Sequence, residues 1–245
     1  MPPILPTTAD ISHPPRATTH PVPAAYRTRP VESTLPDSLS DLGPQLTDHD
    51  SVSRPVAAVL VLHGGKDHSR SPVTGRSLSW QRGAALGRTL GRRLHAQGVA
   101  VRLLRYRSVG WNGDGADKIA DAGWALEQIR VELGELPVAL VGHSMGGRTA
   151  CHAADHPLVR GVVALAPWLP PDESVTALRG KELHAAHGRR DRITRAADTR
   201  AYVERATEVA TAASFTDMGD RGHYLLTGVH AWNGFAEDRV RRLLG

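Results

Sequence analysis

Residues 138–147 read Val-Ala-Leu-Val-Gly-His-Ser-Met-Gly-Gly, an apolar run that ends in a serine between glycines. The run up to Gly142 predicts a buried strand, and the residues from Met145 onward predict a helix. Ser144 then lies in the turn between them, in the pattern G-x-S-x-G. Side chains two residues before and two residues after the serine would collide in so sharp a turn. Glycine at 142 and at Gly146 removes that clash and presents the Ser144 hydroxyl at the start of the helix.

The same alternation of strand and helix continues on both sides of this segment. Apolar runs without polar alternation are typical of strands buried on both faces of a parallel sheet. The further predicted strands are Val56–Leu62, Val99–Tyr106, Val159–Ala166, Lys181–His187 and Ala212–Met218, and the further predicted helices are Trp80–Gln97, one after Asp114, Ala196–Ala206 and Trp232–Leu244. We therefore expect an α/β fold with a mostly parallel sheet of about six strands, up to eight, and helices on both faces.

The beginning of the chain has a different composition. Ten of the 17 prolines lie in the first 50 residues, and no apolar periodicity is visible there. Proline removes backbone donors and restricts φ, so such a segment is a poor strand or helix former. We predict a proline-rich disordered leader over residues 1–53 and one folded domain over residues 54–245.

Composition excludes several classes of function. No apolar stretch approaches the ~18 residues of a membrane-spanning helix, and no signal peptide is visible. The single cysteine, Cys151, has no intramolecular partner, and no Cys/His cluster has the spacing of a metal site. The net charge of +5 comes from scattered arginines rather than from one basic face. We expect a cytoplasmic protein without metal, cofactor, membrane or nucleic-acid partner; its oligomeric state stays open.

Polar side chains follow two other predicted strands. Asp191 comes soon after the strand that ends at His187, and His223 follows the last predicted strand. In parallel sheets, ligands bind at the carboxyl ends of the strands. The chain order Ser144, Asp191, His223, together with the strand–G-x-S-x-G–helix segment, resembles the α/β-hydrolase superfamily, and within it a small serine hydrolase with a short lid.

The resemblance implies a role for each of these residues. Ser144 would be the nucleophile, His223 the general base and then acid, and Asp191 the carboxylate that orients His223, with Asp217 and Asp220 as its rivals. The segment His63-Gly64-Gly65 resembles the oxyanion-hole segment of the family. One oxyanion donor would be the Met145 N–H, and the second the N–H of Gly65 or of Lys66.

The expected activity is that of a Ser-His-Asp hydrolase, carboxylesterase-like or thioesterase-like. It would cleave a carboxylic ester or thioester of a small to medium substrate, because the connection from Ala166 to Lys181 is too short for a multi-helix lid. Trp111, Trp168 and Tyr224 are candidate substrate-binding residues. Non-hydrolytic members of the fold, namely acyltransferases, perhydrolases, lyases, cyclases and binding scaffolds, remain the alternative.

Overall fold

A seven-stranded sheet organises residues 43–49 and 52–245, the parts of the chain that this computed structural model describes. Its spatial order is β1-β3-β2-β4-β5-β6-β7. Strand β1 is antiparallel to β3, and the other neighbouring pairs are parallel. The strands are β1 (Gln45–Asp48), β2 (Ala57–Leu62), β3 (Val99–Arg105), β4 (Val138–His143), β5 (Val159–Leu165), β6 (Glu182–His187) and β7 (Ala212–Asp217). The predicted α/β fold, mostly parallel and of about six strands up to eight, is confirmed.

Strand β1 lies inside the segment predicted as a disordered leader, so that prediction is wrong for Gln45–Asp48. Leu46 pairs with Leu104 and Asp48 with Arg102 along β3. The Asp48 carboxylate also forms an ion pair of 2.8 Å with the Arg102 guanidinium. Proline is absent between Pro44 and Pro55, so this short stretch can pair along an edge of the sheet. Of the predicted leader, residues 1–42, 50 and 51 lie outside the described residues.

Helices cover both faces of the sheet, as predicted. They are α1 (Leu78–Leu94), α2 (Ala116–Leu133), α3 (Met145–His152), α4 (Ala196–Ala206) and α5 (Val229–Leu244). Helices α1 and α5 share one apolar core, and α2, α3 and α4 share the other. Along β2, Leu60 belongs to one core and its neighbour Val61 to the other. Burial on both faces explains why β2 is apolar at every position.

The parallel strands end at one edge of the sheet, and the loops that follow them form the candidate site. The connection from β5 to β6 contains only a short 3-10 turn, Thr176–Leu178, so the predicted absence of a multi-helix lid is confirmed for this connection. The side chains of Leu169 and Leu178 are buried in the core shared by α2, α3 and α4, and they anchor this connection there. No helix within residues 43–49 and 52–245 is long and apolar enough to cross a membrane.

Candidate active site

Ser144 occupies a strained turn between β4 and α3. Its backbone has φ 54° and ψ −120°, a conformation that costs a non-glycine residue free energy. A Cβ on Gly142 would collide with the Gly146 carbonyl, and a Cβ on Gly146 would collide with the Leu62 carbonyl of β2. The two glycines of the sequence pattern are therefore required by close backbone packing. The turn directs the Ser144 side chain away from the sheet and towards the loop that follows β7.

His223 lies in that loop and contacts Ser144 directly. Its Nε2 atom is 2.9 Å from the Ser144 Oγ atom. Its Nδ1 atom is 2.7 Å from Oδ2 of Asp191. Because a carboxylate only accepts hydrogen bonds, Nδ1 carries the proton, and Nε2 is left to accept from the Ser144 hydroxyl. Ser144 and His223 are both buried, and the three side chains form one continuous hydrogen-bonded array.

Asp191 is held by several donors besides His223. Its Oδ1 accepts from the N–H groups of Ile193, at 2.8 Å, and Thr194, at 2.9 Å. Its Oδ2 also accepts from the Thr194 hydroxyl at 2.9 Å and from Nε2 of His187 at 3.0 Å. Burial alone would raise the pKa of this carboxyl, but the hydrogen bonds from His187, His223 and the backbone outweigh it and hold the pKa well below its usual range. Asp191 is therefore ionised at neutral pH.

The two rival carboxylates lie elsewhere. Asp217 pairs with Arg189 at 2.8 Å and Asp220 with Arg190 at 3.0 Å, both in exposed ion pairs. Among the three aspartates that the sequence left in competition, Asp191 is the one whose carboxylate is hydrogen bonded to His223.

The loop after β2 lies against the N-terminus of α3. The Lys66 N–H donates to the Val109 carbonyl at 3.1 Å, so that donor is already engaged. The N–H groups of Gly65 and Met145 donate to no protein atom in the described part of the chain. A Cβ on Gly65 would collide with the Val109 carbonyl and with the Met145 sulfur, which places the Gly65 backbone close to both.

Two buried histidines hold these loops in place. His143 donates from Nε2 to the His223 carbonyl at 2.9 Å, and His63 donates from Nδ1 to the Gly64 carbonyl at 2.6 Å. Desolvation by burial lowers the pKa of His63 to about 4 and that of His143 to about 3. Both rings are therefore neutral at neutral pH, and each fixes a backbone segment next to Ser144.

The candidate substrate-binding aromatics separate into two groups. Trp111 is 2% exposed and packs against the Arg148 guanidinium, 4.1 Å from the ring centroid, so its predicted role as a pocket wall is not supported. Arg148 also lies over Trp168 and pairs with Glu173 of the β5–β6 connection. Trp168 is partly exposed. Tyr224 is 47% exposed and meets the His223 ring edge-on at 5.4 Å.

One contact of the site was missed from the sequence. His187 ends β6 and is fully buried against Asp191. Its position four residues before Asp191, at the carboxyl end of a predicted strand, was the sequence signal that could have indicated this contact.

Within the described ranges, no group of three or more His, Cys, Asp or Glu side chains could hold a metal ion.

Comparison with known proteins agrees with this architecture. The model of the α/β-hydrolase family matches residues 58–244. A protein of unknown function from Agrobacterium tumefaciens is similar in structure, with a TM-score of 0.65, 18% identity, and coverage of 81% of this chain and 90% of its own. A serine hydrolase without lid from Xanthomonas campestris has a TM-score of 0.60, 18% identity and coverage of 82% and 88%. Esterase 2 of Thermogutta terrifontis has a TM-score of 0.62, 17% identity and coverage of 83% and 92%.

At these identities, the structural matches show a shared fold. No curated protein matches the chain by sequence.

Proposed function

Since this chain belongs to the α/β-hydrolase family, we propose that it is a serine hydrolase that cleaves a carboxylic ester or thioester of a small to medium substrate through an acyl-enzyme on Ser144. The observation that carries the proposal is the position of His223. Its two ring nitrogens lie within hydrogen-bonding distance of Ser144 and Asp191 at the same time. Several solved structures of similar fold are described as esterases or serine hydrolases.

The first chemical step is the attack of Ser144 on the substrate carbonyl. As the Oγ–C bond forms, the hydroxyl proton passes to Nε2 of His223, and the carbonyl π electrons move to the oxygen. The ionised Asp191 stabilises the imidazolium that results and keeps its Nδ1 proton directed at the carboxylate. His223 then gives its Nε2 proton to the leaving alkoxide or thiolate as the C–O or C–S bond breaks.

The second half of the cycle hydrolyses the acyl-enzyme. Water attacks the acyl carbon, and Nε2 of His223 takes one of its protons. The tetrahedral intermediate then collapses, the acid product leaves, and the proton returns to Ser144 Oγ. The 2.9 Å separation between Oγ and Nε2 is within the range needed for transfer in both directions.

The oxyanion of each tetrahedral intermediate needs donors that are free in the resting protein. The N–H groups of Met145 and Gly65 meet this requirement, whereas the Lys66 N–H is engaged with Val109. We therefore assign Met145 and Gly65 as the donor pair. Each such donor contributes roughly 3–4 kcal/mol to transition-state stabilisation.

The expected substrate size follows from the β5–β6 connection. This segment is fixed by Leu169 and Leu178 in the core and by Glu173, which pairs with Arg148 and His152. It therefore lies on the body of the protein rather than forming a cap over the site.

Tyr224, exposed beside His223, is the aromatic side chain best placed to contact a substrate.

Hydrolysis of p-nitrophenyl acetate tests this proposal. An acyl-enzyme mechanism predicts a burst of p-nitrophenol of up to one equivalent wherever deacylation is the slower step. His223→Ala and Asp191→Ala should each lose roughly 10³-fold or more in kcat, and their losses should not add. Asp220→Ala is the matched control, since its carboxylate pairs with Arg190 at the surface. Full activity in Asp191→Ala would refute the assignment of this residue.

A further inference from the structure

His187 is a buried polar side chain that the hydrolytic mechanism above does not use. It is the last residue of β6, and its side chain has no exposed surface. Its Nε2 atom lies 3.0 Å from Oδ2 of Asp191, the same oxygen that accepts from His223. Its Nδ1 atom lies 2.8 Å from the Thr199 hydroxyl of α4. Both ring nitrogens therefore have hydrogen-bond partners.

The partners determine where the protons lie. A carboxylate oxygen only accepts, so the Nε2 atom of His187 carries a proton and donates it to Asp191. With the proton on Nε2, Nδ1 is placed to accept from the Thr199 hydroxyl. The hydrogen-bonded array thus runs from Thr199 through His187 and Asp191 to His223 and Ser144.

We propose that His187 is a positioning residue of this site, which shares the Oδ2 atom of Asp191 with His223 and so limits how strongly Asp191 retains the proton of His223. The inference rests on the proposed function, because it assigns His187 an effect on the histidine that activates Ser144.

The physical reason is competition for one oxygen. A hydrogen bond to an ionised carboxylate withdraws part of its charge from every other donor. With two imidazole donors on Oδ2, Asp191 attracts a protonated His223 less than it would with one. Without His187, His223 would keep its second proton to a higher pH. It would then be the unprotonated base over a narrower range.

Several other groups face His223, and the wild-type protein and the variants at position 187 share them. His143 of β4 donates to the His223 carbonyl, with ring centroids 5.0 Å apart. The Tyr224 ring lies against His223, and the Arg82 guanidinium of α1 lies over that ring at 4.7 Å. The Thr194 hydroxyl is 3.1 Å from Nδ1 of His223. The contribution of His187 is therefore measured as the difference in the titration midpoint of His223 between variants that differ only at position 187.

Two substitutions at position 187 separate the effect of the hydrogen-bond donor on Nε2 from the effect of side-chain packing. His187→Gln keeps an N–H near the position of Nε2, and His187→Leu fills a similar volume without a donor. His184→Leu is the control, because His184 is a buried histidine of the same strand that bonds to Ser214 and Glu182 instead. Thr199→Val keeps His187 but removes its Nδ1 partner, so it provides a milder variant if His187→Leu does not fold.

The measurement is the titration of the His223 imidazole by nitrogen-15 NMR, with the His223→Ala spectrum identifying its signal. In His187→Leu, the midpoint should rise by about half to one pH unit, as expected for the loss of one charge-assisted donor to Asp191. In Thr199→Val, it should rise less, and in His187→Gln and His184→Leu it should stay within about 0.2 unit of the wild-type protein.

The acid limb of kcat/KM for p-nitrophenyl acetate should move with the same midpoints, with KM nearly constant because His187 does not reach the surface. Equal midpoints in His187→Leu, Thr199→Val and the wild-type protein would overturn the inference, as would equal shifts in His187→Gln and His187→Leu. If the wild-type protein hydrolyses no ester, the proposed function fails, while the NMR titration still decides the role of His187.

Discussion

His143 donates a hydrogen bond of 2.9 Å from its Nε2 atom to the backbone carbonyl of His223. The bond joins the residue before Ser144 to the loop that carries His223, across 80 positions of sequence. The ring is neutral at neutral pH, since burial lowers the pKa of His143 to about 3. The alignment of His223 with Ser144 thus depends on a second, buried histidine.

Acid should therefore destabilise the protein before the carboxylates titrate. His63 and His143 have folded-state pKa values of about 4 and about 3, against 6.5 for the unfolded chain. Below pH 6.5 the unfolded state binds protons that the folded state does not, so stability is present above this pH and is lost as pH falls. Between pH 7.5 and 5, each histidine should cost about 2 kcal/mol in the free energy of unfolding.

Urea unfolding at the two pH values measures this loss, and His143→Gln provides the comparison. The variant should be less stable at pH 7.5 but show a smaller loss on acidification, because only His63 remains of the pair. Equal pH dependence in the two proteins would mean that His143 is not the buried neutral group described above.

Gly65, the proposed oxyanion donor, gives a second prediction. Gly65→Ala introduces a Cβ that would collide with Val109 and Met145, so the loop must move and its N–H leaves the site. We expect kcat to fall roughly 10²-fold, with a smaller change in KM, because the interaction is made in the transition state. Steady-state kinetics on p-nitrophenyl acetate measure both constants.

Lys66→Ala is the control for this variant. It removes the side chain but keeps the backbone N–H that bonds to Val109. Its kcat should remain within about twofold of the wild-type value. A loss of kcat in Lys66→Ala as large as that in Gly65→Ala would assign the stabilisation of the oxyanion to the lysine side chain instead.

Strand β1 makes a third prediction. A chain that begins at Ser53 lacks the β1 pairing with β3 and the Asp48–Arg102 ion pair. Its free energy of unfolding should be about 2–4 kcal/mol lower than that of a chain beginning at Gly43. Denaturant unfolding of the two shortened chains measures the difference. Equal stability would show that β1 contributes nothing to the sheet.

Acyl-chain length gives a fourth prediction. Full burial of each added methylene would contribute about 0.8 kcal/mol, or roughly fourfold in kcat/KM. The β5–β6 connection is fixed to the core rather than closing over the site, so we expect kcat/KM for p-nitrophenyl esters to peak at about two to six carbons. A steady rise through about ten carbons would reveal a deep apolar channel instead.

The turn at Ser144 and the parallel strands could be predicted from sequence because each depends on neighbours in the chain. Gly142 and Gly146 lie two residues from Ser144, and their spacing carries the steric argument directly. The apolar runs that gave the strands are local in the same way. Strand β1 could not be predicted in this way, because four residues beside prolines carry little apolar periodicity. Their pairing with β3 is a long-range contact.

Long-range contacts also bear on what the sequence leaves open at the site. The proposed assignment of Gly65 rather than Lys66 as an oxyanion donor rests on the Val109 carbonyl, which another loop supplies. Trp111 appeared suitable for a pocket wall from its place after a strand, but contacts with Arg148 and His152 bury it. The contact of His187 with Asp191 likewise depends on how the loop after β6 folds back.

Covalent labelling by a fluorophosphonate tests the central claim most directly. Attack by Ser144 Oγ on phosphorus, with loss of fluoride, should give one adduct per chain, located by mass spectrometry on the peptide that contains Ser144. Ser144→Ala should stay unlabelled and His223→Ala should label far more slowly, although both remain folded. A wild-type protein that stays unlabelled, or a Ser144→Ala variant that is labelled as fast as the wild-type protein, would contradict the account.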